Sequence, residues 1–168
     1  MAVLDILHHP DPRLRCVAAP VETVDGDVRA LADDLLETMY ASRGIGLAAV
    51  QVGIAKRVIV VDVSPERNAP LALVNPRVAD ARDPAEFEEG CLSVPGVYET
   101  VSRSARVRVE ALDRDGGEVS IEAEGTLAAC LQHEIDHLDG RLFVDYLSRL
   151  KRERIRKRAI KRMREAAA

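Results

Sequence analysis

The chain has no tryptophan, and aromatic residues make up only 3% of its 168 positions, so its core must consist of leucine, valine, isoleucine and alanine. It has only three cysteines, at irregular spacing, which argues against a disulfide framework and is typical of a reducing compartment. No apolar run approaches the roughly 20 residues of a membrane-spanning helix. The N-terminus lacks a basic start followed by a long apolar stretch. We therefore expect no signal peptide, no membrane partner and a cytoplasmic location.

Hydrophobic residues make up 47% of the chain and charged residues 31%, which is typical of a globular protein. With no repeat and no low-complexity linker, we expect a single domain over residues 1–168, and a monomer. The net charge of −4 is unevenly distributed. Residues 149–164 contain ten lysines or arginines and one acid, a local charge of +9, so the remainder carries −13.

Helical spacing of apolar residues predicts a helix over 28–40, which Asp25 or Asp27 could cap. β-Branched or alternating stretches predict strands at 58–63, 71–74, 97–101, 105–112 and 118–123. Asn75-Pro76 is expected to end the second of these strands. Further helices are predicted from Gly125 to Gly140 and over 148–166. Together these elements predict an α+β fold with an N-terminal helix and a C-terminal basic helix at 149–168.

Residues 133–137 read His-Glu-Ile-Asp-His, a pattern that can form a metal site on one face of a helix. Positions i and i+4 share a helix face, so His133 and His137 can approach one ion with Glu134 beside it. Two imidazoles bind a transition metal, and a carboxylate beside a metal-bound water can act as a general base. The alternative is a helix on which two unrelated histidines happen to have this spacing.

A catalytic site of this kind needs a third protein ligand. In the extended pattern H-E-x-x-H-x-x-G-x-x-H the third ligand is a final histidine, but that position is Phe143 here. A glutamate on a later helix is another possibility, but Glu153 lies in a strongly basic segment. Cys130 is close in sequence, but residues 130 to 137 extend over about 10 Å of helix. Ligand bonds of about 2.0–2.3 Å cannot bring Cys130 and both histidines to one ion. Cys91 lies among glycines and a proline that set an unusual backbone path. We therefore expect Cys91 as the third ligand and Cys130 as a small apolar residue lining the pocket.

Three segments together resemble the signature motifs of peptide deformylases. They are Gly44 to Gln51 (GIGLAAVQ), Glu89 to Ser93 (EGCLS) and Gln132 to Leu138 (QHEIDHL). They occur in the family's order, and the resemblance covers essentially the whole chain. It implies a mixed α+β fold with antiparallel sheets around the metal-binding helix.

The resemblance also implies roles for individual residues. One divalent metal would be held by Cys91, His133 and His137. Glu134 would act as general base and then general acid, while Gln51 and the backbone N–H of Leu92 would stabilise the oxyanion. Iron(II) is the physiological ion that the resemblance implies, although one thiolate and two imidazoles also suit zinc, nickel or cobalt.

The implied reaction is hydrolysis of the N-formyl group from the formyl-methionine that begins a newly made protein, with attack by a metal-bound water and release of formate. Small residues would let the peptide pair with the chain as an added strand. The expected substrate-binding residues are Gly44, Ile45, Gly46, Glu89, Gly90 and Cys130. For the methionine pocket we expect Ile45, Leu47, Phe87, Leu127 and Cys130. An ion pair of Glu89 with Arg103 is expected to steady the Cys91 segment.

The basic segment from Lys151 to Arg164 can form an amphipathic helix with Ile155, Ala159 and Met163 on one side. It could simply dock by that stripe, or it could bind nucleic acid electrostatically. Because deformylases act on chains that emerge from the ribosome, the resemblance makes ribosomal RNA a plausible partner.

Two other functions remain open from the sequence. A small HExxH metallopeptidase would share the helix and the base but would leave Cys91 and Gln51 unexplained. A nucleic-acid-binding module with a closed structural metal site would explain the basic segment but would give Glu134 no role.

Overall fold

The computed structural model describes residues 2–167, which form three α-helices and five strands. The helices are α1 (Gly26–Ala41), α2 (Gly125–Leu138) and α3 (Arg149–Ala167). The strands are β1 (Gly46–Ala48), β2 (Val58–Val61), β3 (Leu71–Cys91), β4 (Val94–Leu112) and β5 (Glu118–Glu124). Short 3₁₀ helices lie at Pro12–Arg15, Ala49–Val52 and Phe143–Tyr146. The predicted α+β class is confirmed, with the strands joined in one antiparallel sheet in the order β1-β2-β3-β4-β5.

The sheet is covered on both faces where it passes through the core. Successive side chains of a strand point to opposite faces. Val58 and Val60 of β2 accordingly belong to the cluster that contains the buried side of α1, whereas Ile59 and Val61 belong to the cluster that contains α2. All four side chains are fully buried. The two helices therefore hold the middle of the sheet between them.

The predictions for three strands are wrong in extent. The strand predicted at 71–74 continues through Asn75-Pro76 as the long strand β3. The strands predicted at 97–101 and 105–112 are parts of the single long strand β4, which pairs with β3 along almost its whole length. The metal-ligand candidate Cys91 is consequently the last residue of a strand, and Val94 begins the next after a two-residue turn.

Asn75 explains why β3 does not stop at the proline. Its backbone is left-handed (φ 52°), a conformation that asparagine tolerates better than most residues. Its side chain accepts a hydrogen bond from Val21 N and donates one to Val21 O, both at 2.8 Å. The register shifts between Val74 and Arg77, so Pro76 lies in a bulge that needs no N–H.

Helix α2 begins and ends where the sequence predicts. Gly125 at its first position and Gly140 just after its end both have left-handed backbones, with φ of 60° and 77°. A Cβ atom at Gly140 would lie 2.6 Å from Arg15 O, so this turn also requires the missing side chain. Because α2 contacts β1 to β5, its register determines which of its side chains face the interior.

Helix α3 docks against the outside of the molecule through a narrow apolar stripe. Its buried Ile155 packs in a cluster with Val94 and Phe143. Lys151 Nζ lies 3.1 Å from Glu99 Oε2 on β4. None of the helices formed by residues 2–167 is long and apolar enough to cross a membrane.

Candidate functional site

Three potential metal ligands converge on one point between α2 and the end of β3. Cys91 Sγ lies 3.4 Å from His137 Nε2, and the two imidazole Nε2 atoms of His133 and His137 are 3.2 Å apart. The candidate ligand atoms of all three residues lie within 4.8 Å of one another. The i, i+4 spacing brings the imidazoles together, and the strand end brings in the thiol.

The donor set and its spacing fit one transition-metal ion. Bonds of about 2.0–2.3 Å in tetrahedral geometry separate ligand atoms by about 3.3–3.6 Å. The separations of 3.4 Å from Cys91 to His137 and 3.2 Å between the imidazoles are close to these values. A thiolate and two imidazoles suit a divalent ion of the iron-to-zinc series. Cys91, His133 and His137 therefore form a set that could hold one such metal.

A carboxylate on β3 orients one of the imidazoles. Glu89 Oε1 lies 2.9 Å from His133 Nδ1, and Arg103 binds both oxygens of the same carboxylate at 2.7 and 2.8 Å. Burial alone would raise the pKa of Glu89, but hydrogen bonds from Arg103 and His133 hold it below its usual value. The ionised carboxylate accepts from Nδ1, which leaves His133 Nε2 free for a metal. The expected Glu89–Arg103 ion pair is present.

A further layer of side chains, not predicted from the sequence, lies behind this ion pair. Arg103 Nη1 donates to Asp136 Oδ2 at 2.6 Å, and the hydroxyl of Tyr146 donates to the same oxygen at 2.7 Å. The Arg103 guanidinium also lies 4.9 Å from the centre of the Tyr146 ring. The only feature of the sequence that pointed to Asp136 was its position inside the His-Glu-Ile-Asp-His pattern, next to His137.

Glu134 is buried beside the candidate ligands. Among residues 2–167, its Oε1 atom has no hydrogen-bond partner. Burial raises the pKa of Glu134 to about 7. A carboxylate with such a pKa can exchange a proton near neutral pH. A Cβ atom at Gly46 would lie 2.5 Å from Glu134 Oε2 and 2.9 Å from Cys130 Sγ, so only glycine leaves this carboxylate room.

The side chain of Gln51 is fixed next to the candidate metal ligands. Its Oε1 accepts from Ala48 N at 2.9 Å, and its Nε2 donates to Ser93 Oγ at 2.9 Å and lies 3.6 Å from Cys91 Sγ. Gln51 and Ser93 are both buried. The amide N–H groups therefore face the site, and Leu92 lies in the adjoining turn. Ser93 was not predicted to take part in the site, although it stands two residues after Cys91.

A cavity of about 460 Å³ opens beside these groups. It is lined by every residue predicted to bind substrate: Gly44, Ile45, Gly46, Glu89, Gly90 and Cys130. Phe87 also lines it, as predicted. Val97 and Tyr98 line it as well, although they were not predicted. Leu47 instead packs in the cluster with α1, and Leu127 packs in the cluster under α2. Neither leucine is among the residues that line the cavity: Leu47 is fully buried, and Leu127 packs partly buried against the core.

Cys130 differs from Cys91 in its surroundings. It is buried, and its Sγ atom lies 3.7 Å from Ile45 O. Burial raises the pKa of the Cys130 thiol well above its usual value, and the carboxylate of Glu134 raises it further. The thiol is therefore neutral, which suits an apolar wall of the cavity and not a metal ligand.

The outer face of α3 carries a row of cations. Four basic residues at helical spacing are all exposed: Arg154, Lys157, Lys161 and Arg164. Ile155 is buried on the opposite side. The row is available for an anionic partner.

Comparisons with known proteins agree over the whole chain. A family model described as polypeptide deformylase matches residues 3–153. The chain is 60% identical to a peptide deformylase of Alkalilimnicola ehrlichii, covering 98% of this chain and 93% of the relative. It is 55% identical to one of Pseudomonas aeruginosa, covering 99% and 100% of the two chains.

Solved structures of peptide deformylases share the fold along almost the whole chain. The crystal structure of a peptide deformylase from Legionella pneumophila has a TM-score of 0.93 and 49% identity, covering 99% of this chain and 98% of that one. A peptide deformylase from Ehrlichia chaffeensis, solved in complex with actinonin, has a TM-score of 0.93 and 44% identity, covering 96% and 98%. The chain belongs to the peptide deformylase family, the metal-dependent hydrolases that remove the N-formyl group from nascent peptides.

Proposed function

We propose that this chain removes the formyl group of an N-terminal formyl-methionine, with Cys91, His133 and His137 as metal ligands and residues 1–168 forming one catalytic domain. The observation that carries this proposal is the convergence of the three ligand atoms beside the buried carboxylate of Glu134. The adjoining cavity has room for a methionine side chain and the start of a peptide.

The metal that we propose is iron(II), with zinc, nickel or cobalt as possible substitutes in the same ligand set. Held by Cys91, His133 and His137, such an ion would supply the Lewis acidity that makes water a nucleophile near neutral pH. The ionised Glu89 and the guanidinium of Arg103 keep the His133 ring in one orientation.

Glu134 moves the protons of the reaction. Its carboxylate takes a proton from the attacking water and then gives one to the nitrogen of the departing peptide, which could not leave as an amine anion. Gln51 Nε2 and the backbone N–H of Leu92 donate to the formyl oxygen as negative charge develops there. Losing one such donor raises a barrier by about 2.7–4 kcal/mol in related chemistry.

The peptide binds along β1. This strand lies at the edge of the sheet, so its outer side can pair with an extended substrate. Gly44, Ile45 and Gly46 form the rim along which the peptide lies, and Gly90 faces it. The methionine side chain enters the cavity among Ile45, Phe87 and Cys130.

A metallopeptidase is not favoured, because the family match covers the whole site and Gln51 faces the ligands. Formate release from a formyl-Met tripeptide tests the function, using protein prepared without oxygen and with its metal content measured. Formate that appears in proportion to bound metal and disappears with a chelator supports the proposal. Cleavage of unformylated peptides without formate release would contradict it.

We also propose that the chain is a cytoplasmic monomer and that α3 binds ribosomal RNA. The exposed cation row on α3 supports the RNA partner, since phosphate contacts by lysine and arginine drive such binding. Reversal of Arg154, Lys157 and Lys161 to glutamate leaves the buried stripe of α3 intact. Loss of co-sedimentation with ribosomes at low salt is the expected result, and unchanged co-sedimentation would contradict the RNA proposal.

A further inference from the structure

The loop that follows β2 reaches over to the rim of the cavity. Arg67 Nη2 in this loop donates a hydrogen bond to the carbonyl oxygen of Gly44, and Asp62 N donates to Ile45 O at 2.8 Å. Both carbonyls belong to residues that line the cavity, whereas Arg67 itself does not line it. Any effect of Arg67 on a bound peptide must therefore pass through the rim.

The guanidinium of Arg67 is positioned by a side chain from α1. It lies 5.0 Å from the centre of the Tyr40 ring, and the Tyr40 hydroxyl donates to Asp62 Oδ2 at 2.5 Å. Burial, together with this hydrogen bond to Asp62, raises the pKa of Tyr40 to about 12, so the phenol stays protonated and keeps donating. The ring is thereby fixed under the cation, an arrangement that favours one guanidinium orientation.

The loop is anchored at its base by the same aspartate. The buried carboxylate of Asp62 accepts from Ser64 N at 2.9 Å and from Ala69 N at 3.3 Å. Asn68 N donates to Ser64 Oγ at 3.0 Å. These bonds close the loop on itself, so its tip can hold Arg67 at a fixed distance from the rim.

Arg67 occupies a backbone conformation that an arginine adopts at a cost. Its φ is +54°, in the left-handed region that favours glycine or asparagine. A strained residue persists where its surroundings hold it and often where its side chain has a task. Here the side chain makes the stacking contact with Tyr40 and the hydrogen bond to Gly44.

We propose that Arg67 is a positioning residue for the peptide substrate: through its hydrogen bond to the Gly44 carbonyl it fixes the rim that leads into β1, along which an incoming peptide pairs. The inference rests on the proposed binding of peptide along β1. Because the rim is already fixed before binding, less conformational entropy is lost when the peptide binds. Arg67 therefore affects substrate binding and leaves the metal and Glu134 unchanged.

The test compares Arg67→Gly with Arg67→Lys in the metal-loaded full chain. Arg67→Gly removes the guanidinium and also relieves the left-handed backbone, so its melting temperature should not fall. Its KM for a formyl-Met tripeptide should rise about three- to tenfold with kcat and metal content unchanged, the effect of one lost hydrogen bond. Arg67→Lys should recover part of the affinity. Arg82→Ala, which removes an exposed arginine paired with Asp80, is the control and should leave KM unchanged.

Hydrogen exchange provides a second readout that does not depend on turnover. Amide exchange across residues 44–46 should be faster in Arg67→Gly than in the wild type or in Arg82→Ala. An unchanged KM and unchanged exchange would overturn the assignment, as would a KM rise matched by Arg82→Ala. Wild-type protein that releases no formate would instead contradict the proposed function, and the exchange comparison would still decide the role of Arg67.

Discussion

The helix wall of the cavity, formed by His133 and Glu134 of α2, contrasts with the rim formed by Gly44, Ile45 and Gly46. The two side chains of the wall are 7% and 4% exposed, whereas Ile45 on the rim is 44% exposed. The wall carries its chemistry on side chains, and a buried ion pair behind it orients His133. The rim presents backbone and is held by single hydrogen bonds. Changes in the wall should therefore alter chemistry and metal binding, and changes in the rim should alter peptide affinity.

The largest effect is expected from Glu134→Gln in the wall. The amide keeps the shape of the carboxylate but cannot take a proton from water, so kcat should fall by about 10²–10⁴. Metal content, measured by elemental analysis, should stay at the wild-type level because Glu134 is not one of the converging ligands. A fully active variant would contradict the role of Glu134, and metal loss would show that it contributes to binding the ion.

Alanine substitutions at Gly46 and Gly44 test whether the wall and the rim have different roles. Gly46→Ala would place its Cβ against the buried Glu134 carboxylate, and displacing that group should lower kcat by about 10². Gly44→Ala would meet the end of the Leu92 side chain at 2.6 Å, which can rotate away, so a moderate rise in KM is expected. Steady-state kinetics with one tripeptide separates the two outcomes. Equal effects on kcat in both variants would contradict the division between wall and rim.

A smaller effect is expected from Glu89→Gln behind the wall. The amide cannot hold His133 and Arg103 as the carboxylate does, so metal affinity should fall about 10- to 100-fold. Competition with a chelator of known affinity measures this change. The control Glu99→Gln removes an exposed ion pair with Lys151 and should leave metal affinity unchanged. Wild-type affinity in Glu89→Gln would show that the ion pair serves the fold alone.

The smallest effect is expected far from both regions. Reversing Arg154, Lys157 and Lys161 to glutamate changes only the exposed face of α3. The kcat/KM for a free formyl peptide should stay within about twofold of the wild type, since long-range effects of exposed charges are screened. A large fall in kcat/KM would link α3 to the cavity itself.

Sequence patterns predicted the parts of the fold and site that depend on local spacing. The helix with His133 and His137 follows from the i, i+4 rule, and Gly125 and Gly140 mark its ends. The resemblance then supplied the roles of Gln51 and Leu92. No local rule brings Gln51 to Cys91, which lies 40 residues further along the chain.

The errors and omissions involve contacts between distant segments. Asn75 carries β3 past a proline because its side chain pairs with the backbone of Val21, which no local pattern indicates. Tyr146 completes the layer behind the ligands although it lies on a separate 3₁₀ helix. Arg67 reaches Gly44 only because the loop after β2 folds back to the rim.

The ligand set is the central claim, and X-ray absorption on the metal-loaded chain tests it most directly. We predict one sulfur ligand at about 2.3 Å and two imidazole nitrogens at about 2.0–2.1 Å, as typical metal–ligand bonds require. Cys91→Ser should remove the sulfur contribution, whereas Cys130→Ser should leave it. A spectrum without sulfur, or one that loses sulfur only in Cys130→Ser, would contradict the assignment of Cys91, His133 and His137.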